Sequence, residues 1–137
     1  MRVLSLDHGS TRIGVAISDE LRMIANPLEY IPAEPADAVF PRLRAILAEK
    51  PCDLIVVGMP RNMDGSYGPA AALVKEFVAR LEPALGVRVR TWDERLTSAQ
   101  ANRMMIEGGV RRDKRKHTVD KMAAAILLQS FLDATSS

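Results

Sequence analysis

Arg2-Val3-Leu4-Ser5-Leu6-Asp7-His8-Gly9-Ser10-Thr11-Arg12-Ile13-Gly14-Val15-Ala16-Ile17-Ser18 is the stretch whose reading decides the fold. Two largely apolar runs, Arg2 to Asp7 and Arg12 to Ser18, flank a short turn in which Gly9 is available for a positive φ, and this predicts an antiparallel hairpin. Asp7 is the odd residue in it. Aspartate is a poor strand former and is costly to bury unpaired, so at the end of a core strand it needs a metal, a phosphate-facing turn or a capping role to account for it.

Working outward, Met23 to Ile31 is a third extended segment, interrupted by Asn26-Pro27 and therefore expected at a sheet edge. From Asp37 to Lys50 apolar residues recur at helical spacing, with Pro41 tolerable only in the first turn, and Pro51 ends the run. Asp53 to Gly58 is continuously apolar, as in a strand buried on both faces. After it comes the turn-rich loop Met59 to Gly68, at the carboxyl end of a strand, where open α/β sheets bind ligands. Pro69 to Leu85 is again helical, with Gly86 as its terminator. Val87 to Trp92 is the last strand, and helices over Ser98 to Glu107 and Thr118 to Asp133 finish the chain. Three strands in meander followed by helix, strand, helix and strand predict an α/β domain over residues 1–137. Its sheet is five-stranded and mixed, flanked by helices, which is the element order of the RNase H-like fold.

With 137 residues, 47% hydrophobic and 26% charged, the chain has ordinary globular composition and enough length for a real core. No charged-then-apolar leader follows Met1-Arg2 and apolar stretches are only strand-length, so a cytoplasmic protein with no membrane association is expected. Cys52 is the single cysteine, which excludes an internal disulfide and a cysteine-based zinc site. Net charge is only +2, but Arg111-Arg112-Asp113-Lys114-Arg115-Lys116 holds five of the 19 basic and one of the 17 acidic residues, leaving 14 against 16 elsewhere. Such a run is a solvated loop unless an acidic catalytic centre lies beside it, in which case it suits a phosphate backbone.

Two further acids, Glu94 just past the last strand and Asp120 in the first turn of the last helix, lie where this fold can bring them to the edge that carries Asp7. Hydrolysing a phosphodiester requires a nucleophilic hydroxide and a stabilised leaving oxygen, which two divalent ions about 4 Å apart can supply. Hard cations such as Mg²⁺ take oxygen ligands, and three crowded carboxylates without a cation would repel. Taken singly, each acid has a plainer explanation: a turn cap for Asp7, a solvent-facing pair with Arg95 for Glu94, the helix dipole for Asp120. Their joint placement favours a metal site. Other chemistries have little to draw on, since His8 and His117 are the only histidines and neither a Walker loop nor Gly-x-Gly-x-x-Gly or Gly-x-Ser-x-Gly occurs.

Four segments together resemble the YqgF/RuvX family: Leu6-Asp7-His8-Gly9-Ser10-Thr11-Arg12-Ile13-Gly14-Val15-Ala16-Ile17-Ser18-Asp19; Gly58-Met59-Pro60-Arg61-Asn62-Met63-Asp64-Gly65-Ser66; Asp93-Glu94-Arg95-Leu96-Thr97-Ser98-Ala99; and Val119-Asp120-Lys121-Met122-Ala123-Ala124 with Ile126-Leu127-Leu128-Gln129. The resemblance covers essentially the whole chain. It implies an RNase H-like nuclease related to RuvC-type Holliday junction resolvases, acting in 5′-end maturation of pre-16S rRNA, with its acidic site on Asp7, Glu94 and Asp120. On this reading the three acids hold Mg²⁺ or Mn²⁺. Arg12, Arg95 and the basic residues Arg111, Arg112, Lys114, Arg115 and Lys116 steer the phosphate backbone of a pre-rRNA or structured RNA, and Lys121 neutralises charge near the scissile phosphate. The protein would act as a monomer or homodimer. A four-way DNA junction is the rival substrate and would require a dimer for paired cuts. Readings of another class are a nucleotide-binding module, since Asp7-x-Gly9-Ser10-Thr11 also resembles the phosphate turn of actin-like ATPases, and a non-catalytic RNA-binding protein.

Overall fold

The computed structural model describes residues 1–9, 11–60, 68–93 and 115–135, the last segment by backbone alone up to residue 121. Strands β1 (Arg2–His8), β2 (Arg12–Ser18) and β3 (Ala25–Pro32) are followed by helix α1 (Ala36–Glu49), strand β4 (Cys52–Met59), helix α2 (Pro69–Leu85), strand β5 (Arg88–Asp93) and helix α3 (Arg115–Thr135). They build one five-stranded sheet in the order β3-β2-β1-β4-β5. The meander β1-β2-β3 is antiparallel, and β4 and β5 join parallel to β1 and to each other. This is the RNase H-like arrangement.

Period-two alternation divides the side chains of the sheet between two cores. Leu4, Leu6, Ile13, Val15, Ile55 and Val57 pack against Leu43 of α1 and Phe77 and Leu81 of α2. Val3, Ala16 and Val56 meet Ala124, Leu128 and Phe131 of α3 on the other face. The central strands β1 and β4 are therefore apolar at both parities, which is why Leu54 to Gly58 reads as an unbroken apolar run.

The edges follow local chemistry. Strand β3 lies outermost, with Pro27 opposite Ala16 and Pro32 opposite Arg12, and its register slips between Val15 and Ala16 so that Leu28 is skipped. At the other edge the Val89 N–H of β5 donates to Glu82 Oε1 of α2 at 2.8 Å. Gly86 closes α2 in the left-handed region, φ 68°, its N–H bonding Glu82 O.

Three expectations need correction. Pro41 stands beyond the first turn of α1, because the helix begins at Ala36; its ring lies on the exposed side, where the carbonyl it leaves unpaired can meet water. Helix α3 begins at Arg115, three residues before Thr118, so Arg115, Lys116 and His117 are helical rather than part of a loop, and Asp120 falls in the second turn. Straight-chain Arg and Lys are good helix formers, which the reading of the segment as a basic loop overlooked. The third concerns Gly9, in the turn that follows β1. The helix expected over 98–107, most of the loop after β4, and residues 94–114 as a whole lie outside the described residues. Among the described residues no helix is long and apolar enough to cross a membrane.

Cys52 opens β4 as a buried thiol that donates to Lys50 O at 3.3 Å. Burial pushes its pKa up from 9.0 to about 11, so the unreactive protonated form prevails at neutral pH. Iodoacetamide is expected to alkylate the native protein far more slowly at pH 8 than the urea-unfolded chain, with mass spectrometry as the check.

Candidate functional site

Asp7 is the penultimate residue of β1 and is partly buried. Its antiparallel partner is Gly14, whose other neighbour is Tyr30 of β3. Directly opposed residues share a face, so Asp7 lies on the α3 side of the sheet with Val3 and Ser5. Arg12 is on that face too, nearer the turn, with its guanidinium 5.3 Å from the Tyr30 ring centroid. Arg12 thus sits beyond Asp7 at the sheet end where β1 terminates.

Hydrogen bonds fix how α3 lies across this face. Ser5 Oγ donates to Ala124 O at 2.8 Å. Gln129, almost wholly buried, accepts from Ala25 N at 2.9 Å and donates to Met23 O and to Asp133 Oδ1, both at 3.0 Å. Ala25 pairs with Ser18, whose Oγ accepts from Val3 N at 2.8 Å, so Gln129 is level with the start of β1. Helix α3 therefore runs antiparallel to β1, from Ala124 over Ser5 to Gln129 near Val3. Sequence reasoning assigned no role to Ser5 or Gln129. The available signal was a polar residue inside an apolar strand, and another directly after the apolar run Ala123 to Leu128.

The turn that follows Asp7 is held by the Gly9 N–H, which donates to Arg12 O at 2.9 Å. Glycine is required here by close approach and not by a positive φ: a Cβ at position 9 would lie 2.7 Å from Arg12 O, while Gly86 is the described glycine in the left-handed region. Gly9→Ala is expected to force the hairpin apart locally and cost about 1–3 kcal/mol, read from urea denaturation.

His8, though next to Asp7, belongs to the opposite face, its ring centroid 4.7 Å from that of Phe77. Burial lowers its pKa below 6.5, partly offset by a backbone hydrogen bond and the negative charge of Asp7. A depressed histidine pKa means that the unfolded chain binds the proton more readily, so acidification through 6.5 weakens the fold. His8 is a packing residue.

Glu94 is the residue after β5 and lies outside the described residues, as do Arg95, Arg111, Arg112 and Lys114. Asp120, Lys121, Arg115 and Lys116 are located by backbone in the first two turns of α3. Trp92 of β5 meets Phe131 edge-on, ring centroids 5.3 Å apart.

A family model described as "RuvX: Holliday junction resolvase" matches residues 1–134. A protein of Geobacillus kaustophilus (strain HTA426) named "Putative pre-16S rRNA nuclease" is 48% identical over 136 residues, covering 98% of this chain and 99% of its own. Among solved structures, the backbone is similar to T. thermophilus RuvC in complex with a Holliday junction substrate, with a TM-score of 0.52, 20% identity, and coverage of 98% of this chain and 95% of that one. It is also similar to the Fowlpox virus resolvase in complex with substrate Holliday junction DNA, with a TM-score of 0.58, 12% identity and full coverage of both chains. At these identities the structural likenesses speak for the fold.

Proposed function

This chain belongs to the RuvX family, and we propose that it is a metal-dependent nuclease that hydrolyses phosphodiester bonds, acting in the cytoplasm on the 5′ end of pre-16S rRNA. The observation that carries the reading is the register between β1 and α3. From Ser5 to Asp7 is two strand residues, roughly 6.6 Å; from Ala124 back to residue 120 is one helical turn, roughly 6 Å in the same direction. Asp7 and the backbone at Asp120 thus fall at one end of one sheet face. Strand β5 ends there as well, since Asp93 pairs with Met59 at the end of β4, and Glu94 follows directly.

On this reading Asp7, Glu94 and Asp120 hold Mg²⁺ or Mn²⁺, and an all-carboxylate donor set suits such hard cations. The bound cation would supply charge stabilisation at the phosphate and the leaving oxygen. Arg12, Arg95, Arg111, Arg112, Lys114, Arg115, Lys116 and Lys121 would neutralise and align the nucleic-acid backbone, and Asp7, held on a rigid central strand, would fix where the reacting phosphate sits. Residues 1–137 form one nuclease domain in this account.

The family's description and the junction-bound neighbours support a second reading, cleavage of four-way DNA, with two copies making paired cuts. Purified protein is to be assayed with Mg²⁺, with Mn²⁺ and with EDTA on a precursor 16S rRNA fragment, an unrelated single-stranded RNA and a four-way DNA junction. Metal-dependent cleavage of the precursor is the expected result. Preference for the junction favours the second reading, and cleavage of none overturns both.

A further inference from the structure

Seven of the eight arginines with described side chains have their guanidinium groups engaged, Arg90 through an aromatic ring alone. Arg2 faces Glu20 at 3.9 Å, Arg22 pairs with Asp53, Arg42 Nε donates to Glu29 at 2.9 Å, Arg44 Nε donates to Ala84 O at 3.2 Å, Arg80 pairs with Asp37 at 3.2 Å, and Arg12 lies over Tyr30. Arg88 and Arg90 differ. Both are exposed, and neither has an anionic partner among the described residues. Glu82 lies on the α2 side of the strand, where its Oε1 accepts from the Val89 N–H.

Their placement is orderly. Arg88 is opposite Leu54 and Arg90 opposite Val56, residues that face α3, so both arginines project on the face that carries Asp7. Val56 is also the partner of Ser5, which puts Arg90 two strands across from β1 and one pair behind Asp7, roughly 12 Å between Cα positions. The Arg90 guanidinium lies over the ring of buried Phe131, 5.4 Å from its centroid, and that stack restrains its plane while leaving its N–H edge for another acceptor. The two residues are about 6.6 Å apart along the strand, a spacing suited to neighbouring phosphates of one nucleic-acid backbone.

We propose that Arg88 and Arg90 form a phosphate-binding strip along β5 that carries the substrate strand past the edge of the Asp7 site. This inference rests on the nuclease reading and names a part of the substrate path that the acidic site and the basic segment of residues 111–116 do not include. The two arginines position the backbone and take no part in bond cleavage.

The test is a fluorescence-anisotropy titration of a labelled single-stranded oligoribonucleotide across a salt series, in EDTA so that no cleavage occurs. Arg88→Ala/Arg90→Ala is expected to weaken binding roughly tenfold at about 0.1 M salt and to flatten the log–log salt slope by about 0.7 for each phosphate no longer held. Arg88→Ala alone, which leaves the Phe131 stack in place, is expected to flatten it by about 0.7 with an unaltered melting temperature. Arg88→Lys/Arg90→Lys should keep the slope, and Arg42→Ala, whose arginine is already paired, should leave it unchanged. A wild-type slope in both alanine variants, while wild-type protein cleaves RNA in the metal assay, overturns the strip alone. Failure of the wild type to cleave any substrate in that assay removes the nuclease reading itself.

Discussion

Asp7→Asn is expected to lower turnover by at least about 100-fold while leaving RNA affinity equal to or above that of the wild type. The substitution keeps shape and hydrogen-bonding capacity but deletes a charge that the proposed site uses to hold a cation. Losing a ligand charge is worth about 3 kcal/mol or more in the transition state, and each 1.36 kcal/mol is tenfold in rate. Affinity is retained because the phosphates are held by basic side chains, and removing an acid relieves repulsion with the substrate. Melting should not fall, since the residue is only partly buried and the replacement is isosteric. Single-turnover cleavage, anisotropy binding and thermal melting on one preparation make the comparison. Wild-type turnover in this variant would exclude Asp7 from the chemistry.

Gln129→Met is expected to give the largest loss of stability among the substitutions considered, about 2–5 kcal/mol, or on the order of 10 °C in melting temperature. The side chain is almost fully buried, and its amide satisfies the Ala25 N–H and the Met23 carbonyl at the entry to β3. Methionine fills a similar volume but leaves both backbone groups without that partner, at about 1–3 kcal/mol each. Ser5→Ala breaks only one bond to α3, and its acceptor, Ala124 O, also serves the helix ladder, so about 1 kcal/mol is expected. Equal losses for the two variants would contradict the account of how α3 is seated.

Much of this architecture was legible because local and tertiary preferences agree. Strand β2 and helix α2 have the bounds their patterns predict, since alternation in one and a Pro69 start with a Gly86 stop in the other leave little freedom. Disagreement arose where a residue had two possible reasons for being present. Gly9 reads as a positive-φ turn residue, whereas the constraint is the approach of Arg12 O, a distance that no sequence displays. Arg115 to His117 read as loop because charge was weighed above helix propensity. Asp7 stood out as a carboxylate where a strand wants none, but grouping it with Glu94 and Asp120 needed the topology and the family resemblance. Arg88 and Arg90 were silent in sequence, because alternating arginines on a strand look like any solvated face; only the pairing of the other arginines sets them apart.

Among the described residues, both edge strands of the sheet carry features that hinder the addition of a further strand. On one side Pro27 and Pro32 bring no N–H to a neighbour and the bulge at Leu28 breaks the regular spacing; on the other, Glu82 already occupies the Val89 N–H beside a row of like charges. A second chain that approached either flank would meet a backbone ill suited to continue the ladder. Edge-to-edge pairing between copies is thereby disfavoured at both flanks.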